Sequence, residues 1–230
     1  MSANVCSPEI TSVVIYGSQA RGDLDSESDL DICVFTHEKA TVELDQLASL
    51  IETPQHGRCS VTSYCENDLT AMLEYGSLFL WHLKLEGRIL YGNEYLASYL
   101  AKLRPFERHR SEIAYYSAIF SDLTATLGRS CSANEFDLAL LFTIARNTCM
   151  VLAHKAGLFA FGRRACYCEA ARAFRDIPLD EATYLMLSHW KMVYERGVHS
   201  NAKLPSRDEM EHLVAVIQDL LGYAHAQTCC

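Results

Sequence analysis

The spacing of apolar and polar positions changes character part-way along the chain. Thr11–Tyr16 (TSVVIY) is short and β-branched, and it is stopped by Gly17-Ser18; Leu30–Phe35 (LDICVF) repeats the pattern, and both predict strands. Ala40–Ile51 carries apolar residues at 42, 44, 47, 50 and 51, a helical spacing that Thr53-Pro54 ends. Ser60–Tyr64 (SVTSY) predicts a third strand. Asn67 is placed to cap a helix containing Leu69, Met72 and Leu73, and Gly76-Ser77 opens another helix through Leu85. A short extended RILY follows Gly87. Strands alternating with helices predict an α/β layer.

After Arg104-Pro105 the strand pattern disappears. Helical periods run over 107–127, 134–156, 163–175, 179–196 and 206–225, separated by Gly128, Gly157, Pro178, Gly197 and Pro205. Asn134 with Asp137, and Ser206 with Glu209, have the spacing of a helix start in which the two side chains cap each other's backbone. The chain therefore divides into an α/β domain, residues 1–104, and an all-α helical bundle, residues 105–230.

Composition narrows the function classes. Half of the 230 residues are apolar, enough for two cores. Twenty basic against 29 acidic side chains leave a net charge of −9, which disfavours general nucleic-acid or membrane-surface binding but leaves room for a local basic pocket. Apolar runs such as Leu138–Ile144, interrupted by Thr143, fall short of the ~20 residues a bilayer requires. The opening MSANVCSPEI lacks the basic and apolar regions of a secretory signal. Ten scattered cysteines without CxxC spacing then fit reduced thiols in a cytoplasm better than a disulfide framework.

The chemistry concentrates in Val13–Val34, VVIYGSQARGDLDSESDLDICV. Gly17 permits a tight turn and close approach of a ligand to the backbone. Ser18 follows, at the start of a turn whose outward N–H groups suit a phosphate. Asp29 and Asp31 lie two apart on a strand, so both leave one face while Leu30 and Ile32 leave the other toward the core. Two carboxylates side by side repel, and they coexist best around a divalent cation. A phosphate cradle beside such a pair is equipment for metal-assisted phosphoryl or nucleotidyl transfer. An isolated Asp at a strand entrance is often only a turn former. The joint pattern G-S-x-x-R-G-D-x-x-x-x-S-D-x-D is far more specific, and no Gly-Lys-Ser/Thr makes it a Walker loop.

This segment resembles the signature of the DNA-polymerase-β-like nucleotidyltransferases. The resemblance implies an α+β domain with a small mixed sheet. It implies that Gly17 and Ser18 bind the distal phosphates of ATP or another NTP, that Arg21 and Ser28 contact the nucleotide, and that Asp29 and Asp31 are catalytic and ligate two Mg²⁺. Asp23 also matches the motif. The helical half, in LLFTIARNTCMVLAHKAGLFAFGRRACYCEAA (140–171), is similar to aminoglycoside adenylyltransferases, in which a lysine near this point reaches phosphate; Arg163 or Arg164 stands there in this chain. The superfamily usually carries a third carboxylate on the next strand. Here that place falls at Ser60 or Thr62, and the strand holds no acid. Glu66, or Glu135, Asp137 or Glu169 from the helical half, are the substitutes to consider.

The implied activity is transfer of a nucleoside monophosphate, AMP from ATP, to a hydroxyl of a small molecule such as an aminoglycoside or of a protein. The alternative is a weakly active, antitoxin-like nucleotide-binding module acting on a HEPN-type partner. Arg146-Asn147 with His154 is spaced more widely than the Arg…His pair of HEPN ribonucleases and reads as an ordinary helix surface. Phe79, His82 and Glu86 share one side of a helix, with Leu78, Trp81 and Leu85 on another, as expected of a packing helix.

Overall fold

The computed structural model describes residues 9–22, 29–51, 58–127, 134–197, 200 and 202–229. The chain forms two compact units, Met1–Glu107 and Arg108–Cys230. In the first, the order is β1 (Ile10–Tyr16), α1 (Ser18–Arg21), β2 (Leu30–Thr36), a single 3-10 turn (Leu44–Leu47), β3 (Cys59–Cys65), α2 (Glu66–Glu74), α3 (Leu78–Glu86), β4 (Arg88–Tyr91) and α4 (Asn93–Leu100). The four strands form one mixed sheet in the order β3-β2-β1-β4. β1 runs antiparallel to β2 and β4, while β2 and β3 are parallel.

Both faces of this sheet are apolar, which is why its inner strands read as continuous hydrophobic runs. Val14, Cys33 and Phe35 pack beneath Leu69 of α2, Leu80 and Leu83 of α3, and Leu96 of α4. Val13, Ile15, Ile32 and Val34 pack on Val42, Leu47 and Ile51. These last three come from the segment in which a helix was expected, and no α-helix forms over 40–51. The reason is geometric. A five-residue step turns a helix by about 140°, so one helix could not lay both Val42 and Leu47 on the sheet. The sheet face takes them from an irregular segment containing one 3-10 turn instead. α4 is a further element absent from the sequence reading, and it buries Leu96 and Leu100. In α3 the buried residues are Leu78, Leu80, His82 and Leu83, whereas Leu85 is exposed.

The second unit contains α5 (His109–Leu127), α6 (Glu135–Lys155), α7 (Arg163–Ala173), α8 (Glu181–Arg196) and α9 (Arg207–Thr228), and no strand among its described residues. α6 is the central helix, packed by α5, α7, α8 and α9. It is long and apolar enough to cross a bilayer, but two thirds of its apolar window is buried against these neighbours, as in the core helix of a bundle. Its start is fixed as the spacing predicts. Asn134 Oδ1 accepts the Asp137 N–H at 3.0 Å, and Asp137 Oδ2 accepts the Asn134 N–H at 3.1 Å. Ser206 and Glu209 cap α9 in the same reciprocal way.

Candidate active site

The site is built where β1 ends and β2 begins. Gly17 has φ 73 and ψ −151, a backbone region that glycine almost alone adopts. A Cβ at Gly17 would lie 2.5 Å from Asp31 Oδ2, so glycine is required for conformation and for space. The strand register explains the approach: Tyr16 pairs with Asp31 on one side, and Asp31 pairs with Ser60 on the other. α1 follows at once. The Arg21 N–H donates to Gly17 O at 3.2 Å and the Gly22 N–H to Ser18 O at 2.9 Å. The N–H groups of Ser18, Gln19 and Ala20 precede the first intrahelical bond and have no acceptor within the helix. Asp29 stands one residue before β2. Burial raises the Cys59 thiol pKa, and the neighbouring Asp29 carboxylate adds to the rise.

The structure thus gathers Gly17, Ser18, Arg21, Asp29 and Asp31 at one end of the sheet. Ser28 and Asp23 lie outside the described residues. Arg163 occupies the first position of α7 in the other unit, half-buried, while the neighbouring Arg164 is exposed and ion-paired with Glu181 at 2.5 Å.

Glu66 lies at the far end of β3 from the partner of Asp31. Asp31 pairs with Ser60, and Glu66 directly follows Cys65, which pairs with Thr36 at the other end of β2. Five residue steps along the strand separate Ser60 from Cys65, about 16 Å. The Glu66 carboxylate instead accepts from the Tyr99 hydroxyl and lies 3.2 Å from His37 Nδ1. Asp137 is buried and committed to its helix cap, and Glu169 pairs with Arg172 on the surface. Glu135 is an exposed first-turn residue of α6.

What occupies the place beside the carboxylates is neutral. Ser60 is exposed next to Asp31, and Thr62 hydrogen-bonds with the Tyr16 hydroxyl. Burial and then the Asp31 charge push the Tyr16 phenol up to about 12, so it remains protonated near neutral pH.

Two further residues reach this end of the sheet from α3. Glu86 Oε2 lies 3.0 Å from Arg21 Nη1 and 3.1 Å from His82 Nε2. The His82 ring meets Tyr16 edge-on, at 5.6 Å between centroids, and Phe79 meets the same tyrosine at 5.3 Å. Burial opposes ionisation of Glu86, yet the neighbouring His82 and Arg21 together outweigh it and hold the carboxyl below its ordinary range. The only sequence signal for this group was the shared helix side of Phe79, His82 and Glu86, with two polar residues at the end nearest the turn. In the second unit, Arg146 and His154 are engaged separately. Arg146 donates to Phe161 O at 2.6 Å and to Asn147 Oδ1 at 3.0 Å, while His154 Nδ1 lies 2.9 Å from His109 Nε2.

Residues 4–95 match the family model "Polymerase beta, Nucleotidyltransferase", about two fifths of the chain. This stretch is similar to polymerase-β-type nucleotidyltransferase domains. No curated protein matches the sequence. Among solved structures, spectinomycin adenyltransferase AAD(9) from Enterococcus faecialis, determined with ATP and spectinomycin, is similar at 13% identity over 96% of this chain and 92% of its own, with a TM-score of 0.50. A nucleotidyltransferase-like protein from Exiguobacterium sibiricum 255-15 aligns at 15% identity over 96% of this chain and 73% of its own, with a TM-score of 0.39. At such identity the likeness to AAD(9) is one of fold, a small mixed sheet with helices followed by a helical part.

The first unit has a donor set suited to a hard cation. Magnesium is commonly held by one or two carboxylates, with substrate phosphates and water completing its shell. Asp29 and Asp31 supply such oxygens, and the missing Cβ of Gly17 keeps the Asp31 carboxylate against the turn. Among the described residues no group of three His, Cys, Asp or Glu is placed to hold a metal.

Proposed function

We propose that the protein is a Mg²⁺-dependent nucleotidyltransferase that moves AMP from ATP to an acceptor hydroxyl and releases pyrophosphate. The observation that carries this reading is the Asp31 carboxylate seated over the Cβ-less Gly17, with α1 starting at the next residue. The N–H groups at Ser18 receive the distal phosphates, and Arg21 offers further donors; Ser28 and, from the helical unit, Arg163 are the other nucleotide contacts of this reading. Asp29 and Asp31 hold the two cations. Bound Mg²⁺ supplies charge neutralisation on the triphosphate and on the departing pyrophosphate. The acceptor oxygen bonds to the α-phosphorus as the bond from that phosphorus to the bridging oxygen breaks. Neither Ser60 nor Thr62 offers a carboxylate for the hydroxyl proton, which passes to another acidic side chain or to solvent. The acidic chain favours a cationic acceptor such as an aminoglycoside, with a protein hydroxyl as the other class, and argues against nucleic-acid and membrane partners. A cytoplasmic setting belongs to the same reading.

The same neutral Ser60 beside Asp31 supports a second reading, a nucleotide-binding regulatory module with little turnover acting on a HEPN-type partner. Pyrophosphate release and label transfer from α-labelled ATP, with aminoglycosides or cell lysate as acceptors, separate the two. Asp31→Asn is expected to lower transfer by about 100-fold or more. A wild-type rate in that variant refutes the site. Tight Mg-ATP binding without transfer to any acceptor favours the regulatory reading.

A further inference from the structure

We infer that Glu86 is a positioning residue. Backed by His82, it fixes the Arg21 guanidinium beside the Gly17–Gly22 turn, so that the site selects nucleotides by their distal phosphates. This inference rests on the nucleotide-binding reading above and adds a specificity device to it.

Arg21 ends a four-residue helix flanked by glycines at 17 and 22, both with positive φ. A partner for its guanidinium comes from 65 residues further along the chain. One carboxylate oxygen, Glu86 Oε2, accepts from Arg21 Nη1 at 3.0 Å and lies 3.1 Å from His82 Nε2. The three side chains are only 11–23% exposed, unlike the surface pairs Arg164–Glu181 and Arg207–Glu211. His82 is fixed in turn. It is buried, and its ring lies edge-on to Tyr16, the residue before Gly17. α3 is held on the sheet by Leu80 and Leu83, which are almost fully buried. A continuous line of contacts, Tyr16–His82–Glu86–Arg21, therefore refers the guanidinium back to the turn.

Arginine suits this use because its planar fork carries five N–H donors, which lets one guanidinium serve a carboxylate and a phosphate together. A guanidinium ordered in advance spares the nucleotide the cost of immobilising a long side chain. The carboxylate also carries a negative charge near the expected phosphates, which acts against binding. The two effects have opposite signs and can be separated.

The test is calorimetric titration of the full chain with ATP, ADP and AMP in Mg²⁺, using wild type, Glu86→Ala, Glu86→Gln, Arg21→Ala and the Arg21→Ala/Glu86→Ala pair. Glu86→Ala is expected to weaken ATP binding by about 3- to 10-fold and to leave AMP within about 2-fold. Glu86→Gln keeps an acceptor for Arg21 and is expected to retain most of the affinity; being isosteric, it also carries the test if the alanine variant melts early. In the Arg21→Ala background the Glu86 change should have no further effect. Where transfer is measurable, KM for ATP should rise while kcat holds. The inference is overturned if Glu86→Ala tightens ATP binding, shifts ATP and AMP alike, or weakens ATP equally with and without Arg21. Failure of the wild type to bind any nucleotide would instead remove the nucleotidyl-transfer reading, and this inference with it.

Discussion

Replacing Gly17 by alanine probes conformation and chemistry together, and the structure allows the two costs to be separated. At φ 73 and ψ −151 an L-residue is strained by about 1–3 kcal/mol. The added Cβ would also stand 2.5 Å from Asp31 Oδ2, where 3.0–3.4 Å is already tight, so the carboxylate oxygen must retreat by about 0.5–0.9 Å. A displacement of this size in a reacting geometry costs on the order of 100-fold in rate. Gly22→Ala is the matched control. Gly22 also has positive φ, 76, but among the described residues nothing lies within 4 Å of its Cβ position, so the substitution is expected to cost about 1 kcal/mol and to displace none of them. Urea melts of both variants give the stability terms, and Mg²⁺-dependent ATP titration with transfer assays gives the functional one. The expected result is that Gly17→Ala loses more stability than Gly22→Ala and, in addition, most of its metal-dependent activity. Equal behaviour of the two variants in melts and in assays would refute the argument that the Asp31 carboxylate depends on this glycine.

Ser60→Glu places a carboxylate directly beside Asp31 on the parallel strand; Mg²⁺-dependent transfer is expected to rise by about 10- to 100-fold, with a lower melting temperature in EDTA from the added repulsion, and an unchanged rate would show that the third oxygen is supplied elsewhere. Acid stability is expected to depend on His154, whose pKa burial and the adjacent His109 push from 6.5 to about 4. The unfolded chain takes up this proton first, so stability is intact above pH 6.5 and declines as the pH falls toward 4. The full shift corresponds to ~3.4 kcal/mol, reduced to about 1–2 for a half-exposed ring; His154→Gln should flatten the dependence of the urea midpoint over that window, and an unaltered slope would sink the assignment.

Much of this architecture is legible along the chain because local and tertiary preferences agree. The strands around TSVVIY and LDICVF and the five long helices end within a few residues of their turn and cap signals. Ala40–Ile51 misleads because its apolar spacing satisfies a helical template, yet the residues the sheet buries are Val42, Leu47 and Ile51; which of several apolar positions a partner surface selects is not a local property. α4 escapes notice because a short segment containing two tyrosines carries little periodic signal before Leu96 and Leu100 find their cover. The carboxylate pair and its glycine are readable because they lie within fifteen residues of one another. Glu86 and His82 are not, since α3 packing brings them to Arg21 from a distant part of the chain. Glu66 looks adjacent in sequence to the incomplete strand, but the parallel register carries it away from Asp31.

β2 is flanked on both sides, by β1 and by β3. Backbone hydrogen bonds in such an interior strand break only when the whole unit opens. Asp31 is thereby anchored to the most persistent part of the unit and not to a fraying loop. Heating should therefore leave its alignment with Gly17 intact until the sheet itself gives way, so that inactivation and global melting coincide.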